Sequence, residues 1–352
     1  MVKISLNDNV NKLKEKSKAK NTQDKYNGDW LKFIDYCKNK YNCSPLDVDD
    51  LESAYALTAN YMDWLHEDPE AKILKGTSNI PGREKLNNNP YSSSAYKAST
   101  IQRILASITY KYRINGFQFD RKNPNISETI SAIVRDERNN KSGQAKELLK
   151  ADIEKIINKI PEYNDDFRNI RDKALILIGF YSFCRRSELL GMKFEHLNFE
   201  DDGVQVLIPF SKTDQKGEGR MIYLPKNNSP YCPVSALKNW LDVALIDSGP
   251  LFYKINKANN IEKYILNNKN QKVSLTDTSF VLILKKRAED AGIENCDKIS
   301  GHSLRIGSIT QARMNGVPTH EIMAQSGHKT TQMIDRYTKL TNIKETSAAK
   351  KL

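Results

Sequence analysis

Among residues 302–337 of this 352-residue chain, four side chains stand at suggestive spacings: His302 and Arg305 in "HSLR", His328 in "GH", and Tyr337 nine residues beyond that histidine. Further arginines and lysines lie upstream, in "RRSELL" and "FSKTDQKGEGR". Such a set suits attack on an anionic phosphodiester. The five-coordinate phosphorus that forms carries added negative charge, and two guanidiniums meet it with planar forks of donors that keep their protons. A tyrosine hydroxyl supplies a nucleophile, and histidine and lysine can move protons to and from the attacking and leaving oxygens. Each residue alone has a plainer role: a hydrogen-bonded structural histidine, a packed tyrosine, or Arg185 paired with Glu188 one turn on as an exposed helix contact. Their number, order and spacing in a basic chain favour one site.

Particular elements must position these groups. His302 and Arg305, three apart, project from one face of a helix expected to start near Ser300, with Ile306 and Ile309 turned to the core. Gly316 and Pro318 end that helix, Thr319 can cap the next, and Gly327 ends it with His328 on the turn. Tyr337 falls on a last helix or its lead-in. Upstream, "KALILIGFYSFCRRSELLGM" reads as one buried helix carrying Arg185, and "GVQVLIPFSKTDQKGEGRMIYLP" alternates like two strands joined by a turn that holds Lys212, with Lys216 the alternative. A new helix is expected near Lys146, after the polar linker at residues 139–146.

These residues resemble the tyrosine recombinases, or phage-type integrases, whose signature is His-x-x-Arg, then Gly-His, then a tyrosine nine residues later. The resemblance covers about residues 146–340. The family's Arg-x-Ser-Glu-Leu pattern selects Arg185 over Arg186, and "SFC" stands where Thr-Gly-Leu often precedes that arginine. It implies a mainly α fold with a small β-sheet in the C-terminal domain, an α+β arrangement built as a two-domain DNA clamp. The divisions expected are a basic polar tail over residues 1–20, a helical core-binding domain over 21–140 and a catalytic domain over 146–352. It also implies that Tyr337 attacks the phosphate, Arg185 and Arg305 hold it, Lys212 protonates the leaving oxygen, His302 handles the tyrosine proton and His328 donates to a non-bridging oxygen. Four protomers are expected on two double-stranded DNA sites, with "TNIKETSAAKKL" the candidate segment for docking on a neighbour.

The rest of the chain agrees with a polyanionic partner. Lys and Arg number 55 against 43 Asp and Glu, a net charge of +12 that divides as +5 over residues 1–145 and +7 over 146–352. In the N-terminal half, helices are expected from Asn21 to Tyr41, capped by Asn21 or Thr22, from about Val48 to Glu67, and over "ASTIQRILASITYKYRING", with a long loop at residues 75–94. The third of these has no acidic residue nearby, so Lys97, Arg103, Lys111 and Arg113, interleaved with Tyr110 and Tyr112, are candidate DNA contacts. The five cysteines read as reduced structural thiols. No cofactor, metal cluster or nucleotide-binding loop is implied, nor a membrane span or signal peptide, so an intracellular place with the DNA is expected. A type IB topoisomerase, which relaxes DNA without recombinant products, and a DNA-binding protein that has lost catalysis are the competing readings.

Overall fold

The computed structural model describes residues 20–68, 71, 96–139, 145–161, 166–209, 219–263 and 273–338. The chain forms two compact units, residues 1–142 and 143–352. It is mainly helical with one small sheet. Among the described residues no helix is long and apolar enough to cross a membrane.

In the first unit, α1 (Lys20–Tyr41), α2 (Leu51–Glu67), α3 (Ala98–Ile114) and α4 (Pro124–Asn139) enclose an aromatic core. Phe33, Tyr61, Tyr112 and Phe119 are all but inaccessible, and Tyr112 stacks on Phe119 with ring centroids 4.8 Å apart. Tyr112 is therefore a packing residue and not a partner for DNA bases. Helix α1 already includes Lys20, so Asn21 and Thr22 lie inside it rather than at its cap. Helix α2 starts later than expected because Asp50 caps it, its Oδ1 accepting from the Ser53 amide at 2.7 Å. Helix α4 was not expected. Its signal was present, since Pro124 suits a first turn and Ile126, Ile130 and Ile133 recur at spacings of four and three. The loop expected at residues 75–94 lies outside the described residues.

The second unit opens with an extended strap, residues 145–149, and the helix expected near Lys146 begins only at α5 (Lys150–Lys159). The strap's amides are engaged elsewhere: Lys146 donates to the Lys298 carbonyl at 3.1 Å and Leu148 to the Ser303 carbonyl at 3.3 Å. The long buried helix also divides. It runs as α6 (Phe167–Tyr181), breaks at residues 182–185, and resumes as the single-turn α7 (Arg186–Leu190). The break turns on Phe183, whose φ is +55°. The strands β1 (Leu197–Phe199), β2 (Gly203–Ile208) and β3 (Arg220–Pro225) form an antiparallel sheet in that order, with Val206 facing Ile222. Val204, Val206, Ile208, Ile222 and Leu224 point into the core while Leu207 and Met221 face out, the alternation expected of a half-buried hairpin.

Helices α8 (Pro233–Ala244) and α9 (Asp277–Asp290) complete the main core, where Trp240 is fully buried and donates its indole N–H to the Leu251 carbonyl at 2.7 Å. The C-terminal elements are α10 (Ser303–Met314), α11 (Thr319–Ser326) and α12 (Thr331–Thr338). They meet in a separate small apolar cluster of Ile309, Ala312, Ile322 and Ile334, with Phe183 against it. Gln325 ties α11 to the sheet, donating to the Tyr223 carbonyl at 2.9 Å and accepting from the Tyr223 amide at 3.3 Å.

Candidate active site

The strap and the start of α10 lie so close that a Cβ at Gly307 would fall 1.8 Å from the Leu148 carbonyl oxygen. Only glycine permits that approach. It seats the first turn of α10, and so Arg305, which is 4 % exposed. His302 occupies the N-cap position just before Ser303, not the helix interior, and is exposed; its carbonyl accepts from the Ile306 amide at 2.9 Å. Of the two isoleucines expected in the core, Ile309 is fully buried and Ile306 only half-buried. Thr319 is the first residue of α11, with Pro318 at the cap, and its hydroxyl accepts from Arg313 Nη1 at 2.7 Å.

The Arg305 guanidinium is fixed from several sides. Its Nη1 donates to the carbonyls of Phe183, at 2.6 Å, and Ser326, at 2.9 Å, and its Nη2 lies 2.9 Å from His328 Nε2. Phe183 is the middle residue of "SFC", where the family pattern often has glycine. A bulky side chain at positive φ costs about 1–2 kcal/mol. Phe183 offsets this by aiming its carbonyl at Arg305 and placing its ring against the small apolar cluster.

His328 follows Gly327, whose φ of +70° ends α11 in the left-handed conformation that favours glycine. Arginine only donates, so Nε2 of His328 must accept, and the ring hydrogen of the neutral form sits on Nδ1, 2.8 Å from Ser326 Oγ. Burial, then the charges of Arg305, Arg185 and Arg220, push the His328 pKa down to about 4. It is a neutral imidazole at pH 7. The same two causes, burial and then the charge of Arg185, push Arg305 down to about 10, which leaves it a cation.

Arg185 caps α7 from outside. Its amide donates to Glu188 Oε2 at 2.9 Å and its Nη1 to Oε1 at 2.7 Å. This is no exposed helix contact, because the Glu188 side chain is only 2 % exposed. Glu188 also accepts from Arg220 Nη2 at 2.9 Å. Burial favours the neutral acid, but bonds and charge from Arg220 and then Arg185 outweigh it, so Glu188 is held below the usual carboxylate range. Arg186 points elsewhere, to Asp277 at 2.6 Å. Buried Cys184 accepts weakly from Arg220 at 3.6 Å, and burial pushes its thiol up to about 11, so it stays protonated. All five cysteines are free.

Tyr337 stands on α12, which packs on α10 and α11 through the fully buried Ile334. Lys212 and Lys216 lie outside the described residues, between the ends of β2 and β3. The fold therefore gathers Arg185, Arg305 and His328, sets His302 at the cap of the same helix, and brings the helix of Tyr337 against it. Arg220 is the cation that sequence reasoning missed; it is the first residue of β3 and lies only a few positions past the lysines. Among the candidate DNA contacts, Arg103 is ion-paired with Asp29 and Arg113 donates to the Phe119 carbonyl at 3.2 Å, while Lys97 is exposed and Lys111 half-buried.

Residues 146–343 match the model of the phage integrase family. The chain is 31% identical over 345 residues to the integrase/recombinase xerD homolog of Selenomonas ruminantium, across 96% of this chain and 87% of the relative. It is 24% identical over 252 residues to tyrosine recombinase XerA of Pyrococcus furiosus, across 71% of this chain and 72% of that one. Its fold is similar to that of the XerH site-specific recombinase solved on its palindromic difH substrate in a post-cleavage complex, with a TM-score of 0.52, 17% identity, and coverage of 91% of this chain and 88% of that one.

Proposed function

The chain belongs to the phage integrase family and is a site-specific DNA recombinase, and from this premise we propose that Tyr337 opens a strand of duplex DNA by direct attack on one phosphodiester. The Tyr337 oxygen bonds to phosphorus as the bond to the 5′ oxygen breaks, leaving a 3′-phosphotyrosine and a free 5′-hydroxyl. His302 takes the tyrosine proton and Lys212 gives one to the leaving oxygen. A 5′-hydroxyl from a second strand reverses both transfers. The ester bond is exchanged and not hydrolysed, so the step needs no nucleotide.

The observation that carries this reading is the cluster of half-buried Arg185 with buried Arg305 and His328, and the helix of Tyr337 packed on that of Arg305. Arg185 uses one side-chain nitrogen on Glu188, which leaves Nε and Nη2 to pair with phosphate oxygens. His328 has a single N–H as a neutral ring. With the ring held in place by Arg305 on Nε2, that N–H on Nδ1 is shared between Ser326 Oγ and a non-bridging oxygen when DNA binds. Basic residues of both units, including Lys97, Lys111 and Arg113, contact the backbone as a clamp formed by a core-binding domain over residues 21–140 and a catalytic domain over 146–352. Four protomers act on two sites, and the protein resides with the DNA.

The test is a nicked duplex from which the short 5′-hydroxyl fragment diffuses away after cleavage. The expected result is a covalent adduct that forms without added metal or nucleotide and maps to Tyr337 through a 3′ phosphate, with none from Tyr337→Phe. A 5′ linkage, or undiminished cleavage by Tyr337→Phe, overturns the assignment.

A further inference from the structure

Glu188 presents an electrostatic difficulty that its neighbourhood resolves. A carboxylate bonded to Arg185 cancels the very charge that is to hold a phosphate, since the N–O separation is 2.7 Å and both groups are largely withdrawn from water. A second guanidinium sits on the carboxylate's other oxygen, Arg220 Nη2 to Oε2 at 2.9 Å. Arg185, Arg305 and Arg220 together outweigh Glu188 by two charges; with Arg220 removed the excess is one, and the Arg185–Glu188 pair is neutral.

A second observation concerns the turn that carries His328. The Arg220 guanidinium lies flat against Gly327: a Cβ there would stand 3.0 Å from Cζ and Nη1 and 3.1 Å from Nε. One side chain thus touches both Glu188 and the residue that sets His328. Its Nε and Nη1 are buried and have no acceptor among the described residues. What holds the guanidinium is the bond from Nη2 to Glu188, with the weak Cys184 contact beside it.

We propose that Arg220 is a positioning residue for DNA cleavage, which shares the charge of Glu188 so that Arg185 faces the scissile phosphate as a net cation, and which backs the Gly327–His328 turn. The inference rests on the reading of Arg185 as a phosphate-holding residue. It predicts that the need for Arg220, read in the cleavage rate of the folded enzyme, depends on the negative charge at Glu188; a purely structural ion pair shows that dependence in stability and not in the rate.

Single-turnover adduct formation on the nicked duplex, at saturating DNA and well below each variant's melting temperature, tests this. Arg220→Gln is expected to slow the step by on the order of 10²-fold, with DNA affinity little changed. Arg220→Lys, which keeps the charge, should recover most of the rate. The double variant Arg220→Gln/Glu188→Gln should react at least about tenfold faster than Arg220→Gln alone, because no carboxylate remains to cancel Arg185. A rate for Arg220→Gln within about threefold of the parent overturns the proposal, as does a double variant no faster than the single. If Arg220→Gln does not fold, a folded Arg220→Lys that is slowed by on the order of 10²-fold overturns it equally. Absence of any adduct from the parent chain instead removes the Tyr337 mechanism on which the proposal stands.

Discussion

Acid should loosen the second unit through His328 in particular. The imidazole titrates near 6.5 in an unfolded chain and at about 4 in the fold, where burial and three guanidiniums oppose its charge. At pH 7.5 both states hold it neutral, and it adds no pH dependence. As pH falls below 6.5 the unfolded chain binds a proton that the folded one refuses, so stability drops until about pH 4, where both are protonated. At pH 5.0 the unfolded state has gained about 1.5 pH units of proton affinity, which is about 2 kcal/mol at ~1.4 kcal/mol per unit. Trp240 lies in the second unit and Trp30 and Trp64 in the first. Urea unfolding followed by tryptophan fluorescence in a Trp30→Phe/Trp64→Phe background therefore reports the second unit alone. His328→Gln removes the titration; its stability at pH 7.5 differs from the parent's for packing reasons, but its loss between pH 7.5 and 5.0 should be smaller by about 2 kcal/mol. Glu188 also resists protonation and weakens the fold in acid, as does half-buried His196, but both remain in the variant. Equal losses in the two proteins would refute the reasoning.

Two further outcomes follow from the geometry. Arg185→Ala should abolish adduct formation, while Arg186→Ala, whose partner is Asp277, should keep it within a few-fold; the reverse result in the same gel assay would move the family register by one residue. Gly307→Ala should destabilise the second unit by at least about 3 kcal/mol, because backbone and not a flexible side chain meets the new methyl group; a melting temperature within 2 °C of the parent's, roughly a fraction of 1 kcal/mol for a unit of this size, would contradict the close approach of strap and helix.

Much of the site was legible because its chemistry is written locally. "HSLR" lies at the start of one helix and "GH" on the turn that ends the next, and the order and spacing that resemble the family signature indicated that they share a neighbourhood. The hairpin also announced itself, through alternation that matches its pleat. What escaped was set by contacts distant in the chain. Nothing near Arg103 in sequence indicates that Asp29, 74 residues away, takes up its charge, and nothing near Tyr112 shows that it stacks on Phe119 beneath the surface. The division of α6 from α7 was hidden for a related reason. A run as apolar as "ALILIGFYSFC" satisfies helix periodicity throughout, and only the demand of Arg305 for the Phe183 carbonyl, 122 residues away, favours a left-handed residue there. Glu188 beside Arg185 offers only an exposed contact as the plainer alternative in the sequence, whereas it is buried and its second guanidinium comes from β3.

The small cluster that seats α12 also sets a time scale. The main core of the second unit does not include that helix, because Ile309, Ala312, Ile322 and Ile334 form a separate patch. Full burial of one isoleucine is worth about 2–3 kcal/mol, so undocking of the helix that bears Tyr337 is expected to cost less than global unfolding. Opening of that size belongs to microseconds to milliseconds. The hydroxyl proposed to attack thus rides on a helix seated outside the main core, which would make arrival of the nucleophile an event separable from the standing of the proposed anion site.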